Sequence, residues 1–300
     1  MKTKHTLLAA LCLLLAGFTQ ALAQNTPPSP PRVLVLIRED IKPGKMPAHA
    51  QEASAYVQVL SKANARLAEN MRDGRIAMTP IAGNENEVAY LWPYDSFEEM
   101  EKKRNEMDKL ATGAMRAEFD ALPDAELHAS QRDIIARYRP EYSYNIGAID
   151  IAQARYMVMT TLRIKPGHED EYWAMVKEKM FPARDKAQIK ASYAVFSAIA
   201  GMPASTFLIF RPARSLADFD AAAPVATRNA MSKDVREDVD KVTDRSVVFS
   251  ETIFYRFDPR LSHVAPDFVA RDTASPAFWN PKPPPPTTPT TARRRPAGRQ

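Results

Sequence analysis

The chain has 300 residues, 45% of them hydrophobic, which is enough to bury a core without covalent staples. Its one cysteine, Cys12, lies in a leading segment that reads as removable, so disulfides, thiolate nucleophiles and cysteine-ligated metals are excluded from the rest. The net charge of +5 sits at the ends: taking Lys2, Lys4, Lys282, Arg293, Arg294, Arg295 and Arg299 from the 41 bases leaves 34 against 36 acids, so no basic face points to nucleic acid.

Residues 1–23 carry a basic start, an apolar run and a small-x-small ending, Ala21-Leu22-Ala23. They predict a secretory signal and a protein exported to the periplasm or beyond. The apolar run falls short of the roughly 20 residues of a membrane span, and no later stretch reaches that length. A proline-rich spacer, 24–31, follows.

The next segments are rich in apolar and β-branched residues at strand spacing. A strand at 33–37 ends at Pro43-Gly44, and a helix is predicted over 47–71. Strands at 76–82 and 88–94 flank Gly83, a helix starts at Ser96-Phe-Glu-Glu, and a strand closes at 133–138. The pattern then recurs. A strand at 156–164 meets Pro166-Gly167, and a helix at 168–186 places Tyr172, Met175, Val176 and Met180 at helical spacing. Strands at 192–200 and 205–210 flank Gly201, a helix starts at Ser215, and a strand closes at 246–257.

Ile-Lys-Pro-Gly stands at 41–44 and again at 164–167. Gly83 and Gly201, Trp92-Pro93 and Arg211-Pro212, Ser96 and Ser215, and the closing 139–144 and 258–263 keep the same order. These matches predict a tandem duplication with units at 32–145 and 155–264. Each unit reads β-α-β-β-α-β, the split βαβ arrangement of ferredoxin-like folds. Helices cover one face of such a sheet, and the bare face must be buried. The expected fold is α+β, with two units packed sheet to sheet as an intramolecular α/β barrel. Fusion supplies the pairing, so a monomer suffices. Residues 276–300, rich in Pro, Thr and Arg, are expected to be a disordered tail able to touch acidic cell-surface material. The alternative is a solubilising tail without a partner.

With this topology, the strand-Lys-Pro-Gly-helix opening and the duplication, the sequence resembles the dimeric α/β-barrel superfamily over about residues 32–264. That group includes antibiotic-biosynthesis-type monooxygenases, haem-degrading monooxygenases, NIPSNAP-like proteins and stress-responsive barrel proteins. The resemblance implies a ligand cleft between the sheet and the helices of one unit. It implies an exported small-molecule-binding or cofactor-independent oxygenase-like protein acting on an apolar or aromatic compound, and it admits haem as a cofactor. The alternative is a non-catalytic envelope scaffold that uses its tail for surface contact.

Within that frame His168, Glu251 and Arg256 are candidates for catalysis, and Trp173, Tyr172, Trp92, His49 and Arg137 for ligand binding. His168 and His49 lie near helix starts and read more readily as first-turn surface residues. The aromatics read more readily as core. Glu251 is the one charge on the face shared by Val247, Phe249, Ile253, Tyr255 and Phe257, so it is expected to meet Arg132, Arg256 or Arg137. Arg137 and Arg256 correspond across the repeat and are read as capping a barrel end or binding an anion. No H-x-x-x-H, Walker, G-x-G-x-x-G, H-E-x-x-H or G-x-S-x-G pattern occurs. A dedicated metal site is therefore not expected, and nucleotide-dependent enzymes, zincins and α/β-hydrolases are disfavoured.

Overall fold

The computed structural model describes residues 29–281 except 73, 123, 221 and 222. The expected signal, residues 24–28 of the spacer and the tail beyond 281 lie outside the described residues.

Eight strands form a closed antiparallel barrel in the order β1-β3-β2-β8-β5-β7-β6-β4. The first half contributes β1 (Val33–Ile41), β2 (Ile76–Ala82), β3 (Glu87–Tyr94) and β4 (His128–Tyr138). The second contributes β5 (Tyr156–Ile164), β6 (Ala194–Ala200), β7 (Thr206–Ala213) and β8 (Val247–Phe257). The halves join where β2 pairs with β8 and β4 with β6. Closure leaves no edge strand for aggregation.

Period-two alternation explains both layers. In β1, Leu34 and Leu36 point into a lumen filled by Met78, Ile134, Met159, Leu208, Tyr255 and Phe257. Val33, Val35 and Ile41 point out, against Ala53 and Leu60 of α1 (Met46–Asn64). In the second half Leu162 and Ile164 play that outer role against Trp173, Val176 and Val242. Both Lys-Pro-Gly turns put glycine at positive φ, Gly44 at 77° and Gly167 at 89°, where a side chain would be strained. Gly201 is more constrained: a Cβ there would sit 2.0 Å from the Asp133 carbonyl oxygen.

The serine caps form as the sequence predicts. Ser96 Oγ accepts from Glu99 N at 3.0 Å and starts α2 (Phe97–Leu110). Ser215 forms a capping box with Asp218. Ser143 and Ser262 serve strand exits in the same way. Each donates to the carbonyl four residues earlier, and each accepts a backbone N–H, from Val195 and Ala77 respectively. Short helices α3 (Gly113–Asp120) and α4 (Asp124–Leu127) lead into β4.

The tail boundary at 276 needs correction. Trp279 is 3% exposed, packs on Phe257 and Phe268, and donates its indole N–H to the Ala152 carbonyl at 2.7 Å. Burying an indole with its donor satisfied outweighs the extended bias of the surrounding prolines. Residues 276–281 therefore belong to the folded body, beside α9 (Pro266–Ala270). Among the described residues no helix is long and apolar enough to cross a membrane.

Candidate functional site

A cavity of about 570 Å³ lies between sheet and helices in the second half. One wall is the outer face of three adjacent strands. Register sets Thr160 beside Ile209 and Thr252, and Val158 beside Arg211 and Phe254. The Thr160 and Thr252 hydroxyls meet at 2.8 Å. The other walls come from α7 (Ala223–Ala230), α8 (Lys233–Ser246) and the long helix after β5.

That long helix changes pitch. It runs as α5 (Glu169–Met175), a π segment (Val176–Met180) and α6 (Phe181–Lys186). Pro182 lacks an N–H and crowds the preceding turn, so a wider turn just before it relieves the clash. Met180, the last residue of the π segment, and Arg184, a turn later, both line the cavity.

Arg184 lies with its guanidinium 4.3 Å from the Tyr193 ring centroid and 5.4 Å from that of Tyr144. Arg211 lies 5.9 Å from the same Tyr193 ring and 4.5 Å from Phe219. Tyr193 is itself held by paired backbone bonds to Tyr144, both at 2.9 Å, from the segment joining the halves. The phenol of Tyr144 donates to Asp185 at 2.7 Å; burial, then that bond, push its pKa up to about 12. It is a neutral ring at physiological pH.

Among the described residues no carboxylate ion-pairs with Arg184 or Arg211, whereas Arg228 at the rim is paired with Asp240 at 2.7 Å. Burial, with the repulsion of Arg211 added, pulls the Arg184 pKa below the ordinary arginine value despite the tyrosines around it. Two cations facing one cleft without counter-charge form an incomplete anion site. Among the described residues its lining holds no imidazole, thiolate or carboxylate. A haem iron here would have only Tyr193, Met180 or Met231 to ligate it.

The sequence candidates fall elsewhere. His168 stands at the N-cap position of α5 without a side-chain capping bond, about a third exposed, 3.2 Å from Glu171. Trp173 is core: it stacks on Tyr142 at 4.4 Å and meets Phe207 at 5.1 Å. Tyr172 packs edge-on against Trp173, and burial raises its pKa. Trp92 is buried under the first-half helices. Arg256 and Arg137 point away from the lumen and are exposed, with Arg137 over Phe97 at 5.7 Å, so they do not cap the barrel interior.

Glu251 does face the lumen but meets none of the three expected arginines. Its partner is Arg38 of β1, at 3.5 Å, and its side chain is 43% exposed. The stronger partner of Arg38 is Glu87, at 2.6 Å, which also accepts the Tyr255 hydroxyl. Burial opposes the Arg38 charge, but the Glu87 bond and the neighbouring charges outweigh it and raise its pKa. Side chains from opposite walls of a barrel meet across the lumen, a contact strand alternation alone does not reveal. His49 is buried against Glu39 and His128 in the first half.

Sequence reasoning missed Arg184, Arg211, Tyr193 and the threonine pair. The signals were faint but present: an arginine where the first half of the barrel has Trp92, a threonine on an otherwise apolar outer face, and a proline inside a helix.

Residues 35–136 match the NIPSNAP family model. No curated protein matches the chain. Among solved structures, an anthrone oxidase-like protein is 13% identical, with TM-score 0.48, over 75% of this chain and 91% of that one. A proposed monooxygenase from Lactobacillus acidophilus is 10% identical, with TM-score 0.44, over 77% of this chain and 94% of that one. A NIPSNAP-like domain protein from Burkholderia xenovorans is 19% identical, with TM-score 0.27, over 35% of this chain and 83% of that one. The first half of this barrel, over residues 35–136, is thus NIPSNAP-like in sequence.

Proposed function

We propose that the second-half cleft binds a small organic anion with an aromatic or otherwise apolar body. The observation that carries this reading is the pair Arg184 and Arg211, which share the Tyr193 ring and have no carboxylate partner among the described residues. A buried cation without counter-charge is costly, and a ligand carboxylate or sulfonate would supply the missing charge-assisted bonds, each contributing about 1.5–3 kcal/mol. Val158, Ile209, Met231, Val239 and Phe254 suit an apolar body, and the threonines offer hydroxyls for its polar edge. Of the two forms suggested by the superfamily resemblance, binding is better supported than oxygenase-like turnover, because the lining offers arginines and hydroxyls but no general base. We also read the chain as a duplicated unit exported after cleavage at Ala23, with a basic tail for surface contact; the mature N-terminus, read by mass spectrometry, tests the cleavage.

Calorimetric titration with 2-naphthoate and with neutral 2-naphthamide tests the cleft. Saturable naphthoate binding, weakened about tenfold or more by Arg184→Met or Arg211→Met while the amide is unaffected, supports it. Equal binding of acid and amide, or no loss in either variant, overturns it and favours the scaffold reading.

A further inference from the structure

We propose that Glu39, His49 and His128 hold one divalent first-row transition-metal ion in the first half of the barrel. The three come from different elements. Glu39 lies on the outer face of β1, His49 on the first turn of α1, and His128 opens β4. A register shift between Asp40 and Ile41 sets His128 opposite Ile41. Such bulges re-aim a side chain, here toward Glu39.

His49 Nε2 lies 2.8 Å and His128 Nε2 3.4 Å from the same oxygen, Glu39 Oε2, and one ligand atom from each residue falls within 4.8 Å of the others. Ligand atoms about 2.0–2.2 Å from a tetrahedral ion stand about 3–3.5 Å apart, and both imidazole distances to Glu39 lie close to that spacing. All three side chains are shielded, at 1%, 13% and 11% exposure for His49, Glu39 and His128. Among the described residues no lysine or arginine pairs with Glu39. A carboxylate with two imidazoles in a dry site therefore has no fixed cation, and His49 Nδ1 is buried with no hydrogen-bond partner. Apolar residues in their place would avoid the cost of burying three such polar groups.

The second half makes that replacement. There the register counterparts of Glu39 and His128 are Leu162 and Val247, both in the apolar cluster around Trp173. The same barrel position is built dry and apolar once, and imidazole-carboxylate once. Two histidines and a carboxylate suit zinc, iron, cobalt or nickel rather than calcium or magnesium. Three protein ligands leave at least one coordination position open.

The test is titration of the full chain, first dialysed against EDTA, with Co²⁺ followed by visible absorption and then displacement by Zn²⁺. One equivalent binding saturably, with the intense bands of a low-coordinate ion, is the expected result. Glu39→Gln, isosteric with the native residue, and His128→Asn should each weaken binding about tenfold or more while circular dichroism stays native. No saturable binding at one equivalent, or unchanged affinity in a folded Glu39→Gln variant, overturns the proposal. Zn²⁺ should also raise the melting temperature of the unmodified chain and not that of Glu39→Gln.

Discussion

The two halves of the barrel share strand order and register yet fill the layer between sheet and helices differently. In the second half Arg184 and Arg211 face an open cavity. At the corresponding place in the first half Tyr90 and Trp92 stand where Ile209 and Arg211 stand in the second, and both are buried. The guanidinium of Arg75 is clamped 4.3 Å from both the Tyr90 and Tyr56 rings, and it donates to the Ala53 carbonyl. One half closes around its arginine and the other leaves two exposed to a ligand-sized space. At the far end of the layer the polarity reverses: the first half buries Glu39, His49 and His128, and the second buries Leu162 and Val247. The same backbone frame thus supports two unlike sites.

The largest effects should come from breaking what each half buries most completely. Glu87→Ala strands Arg38 in the lumen and should cost about 3–5 kcal/mol in chemical denaturation. Trp173→Ala, by emptying the second-half core, should cost a similar about 3–5 kcal/mol. The arginines sharpen the contrast. Arg75→Met should destabilise by about 1–3 kcal/mol, since two cation–π contacts and a hydrogen bond go together. Arg184→Met should leave stability within about 0.5 kcal/mol of the native chain, or raise it, while naphthoate binding falls. Equal destabilisation by both would mean that the second-half arginines are structural.

A smaller effect concerns pH. His263 Nε2 accepts from Asn64 Nδ2 at 2.8 Å in the first-half layer, and burial, then the charge of Arg75, lower its pKa from 6.5. The unfolded chain then binds this proton more readily than the folded one. Its contribution to stability is full above the ordinary value and is lost as the pH falls through it. Melting temperatures from pH 7.5 to 5 should decline, and less steeply in His263→Asn. The smallest change belongs to Glu251→Gln. With its side chain 43% exposed and 3.5 Å from Arg38, the loss should stay within about 0.5 kcal/mol. A loss comparable to that of Glu87→Ala would restore Glu251 as a key lumen residue.

The amino-acid sequence by itself determined the elements and their order. Strand alternation, Pro-Gly turns, serine caps and helical spacing act over a few residues, so the strands at 33–37 and 156–164 and the helix start at Ser96 could be read without any long-range knowledge. The repeated order then implied a closed barrel, because bare sheet faces must be covered. Only the tertiary structure decided the sites. Arg38 and Glu251 stand on strands that are not neighbours and meet across the lumen. Arg184 and Arg211 converge through a π turn and a shared ring. His128 reaches Glu39 through a one-residue register shift. Each of these depends on where separate elements come to rest against one another, and local sequence carries almost no trace of that.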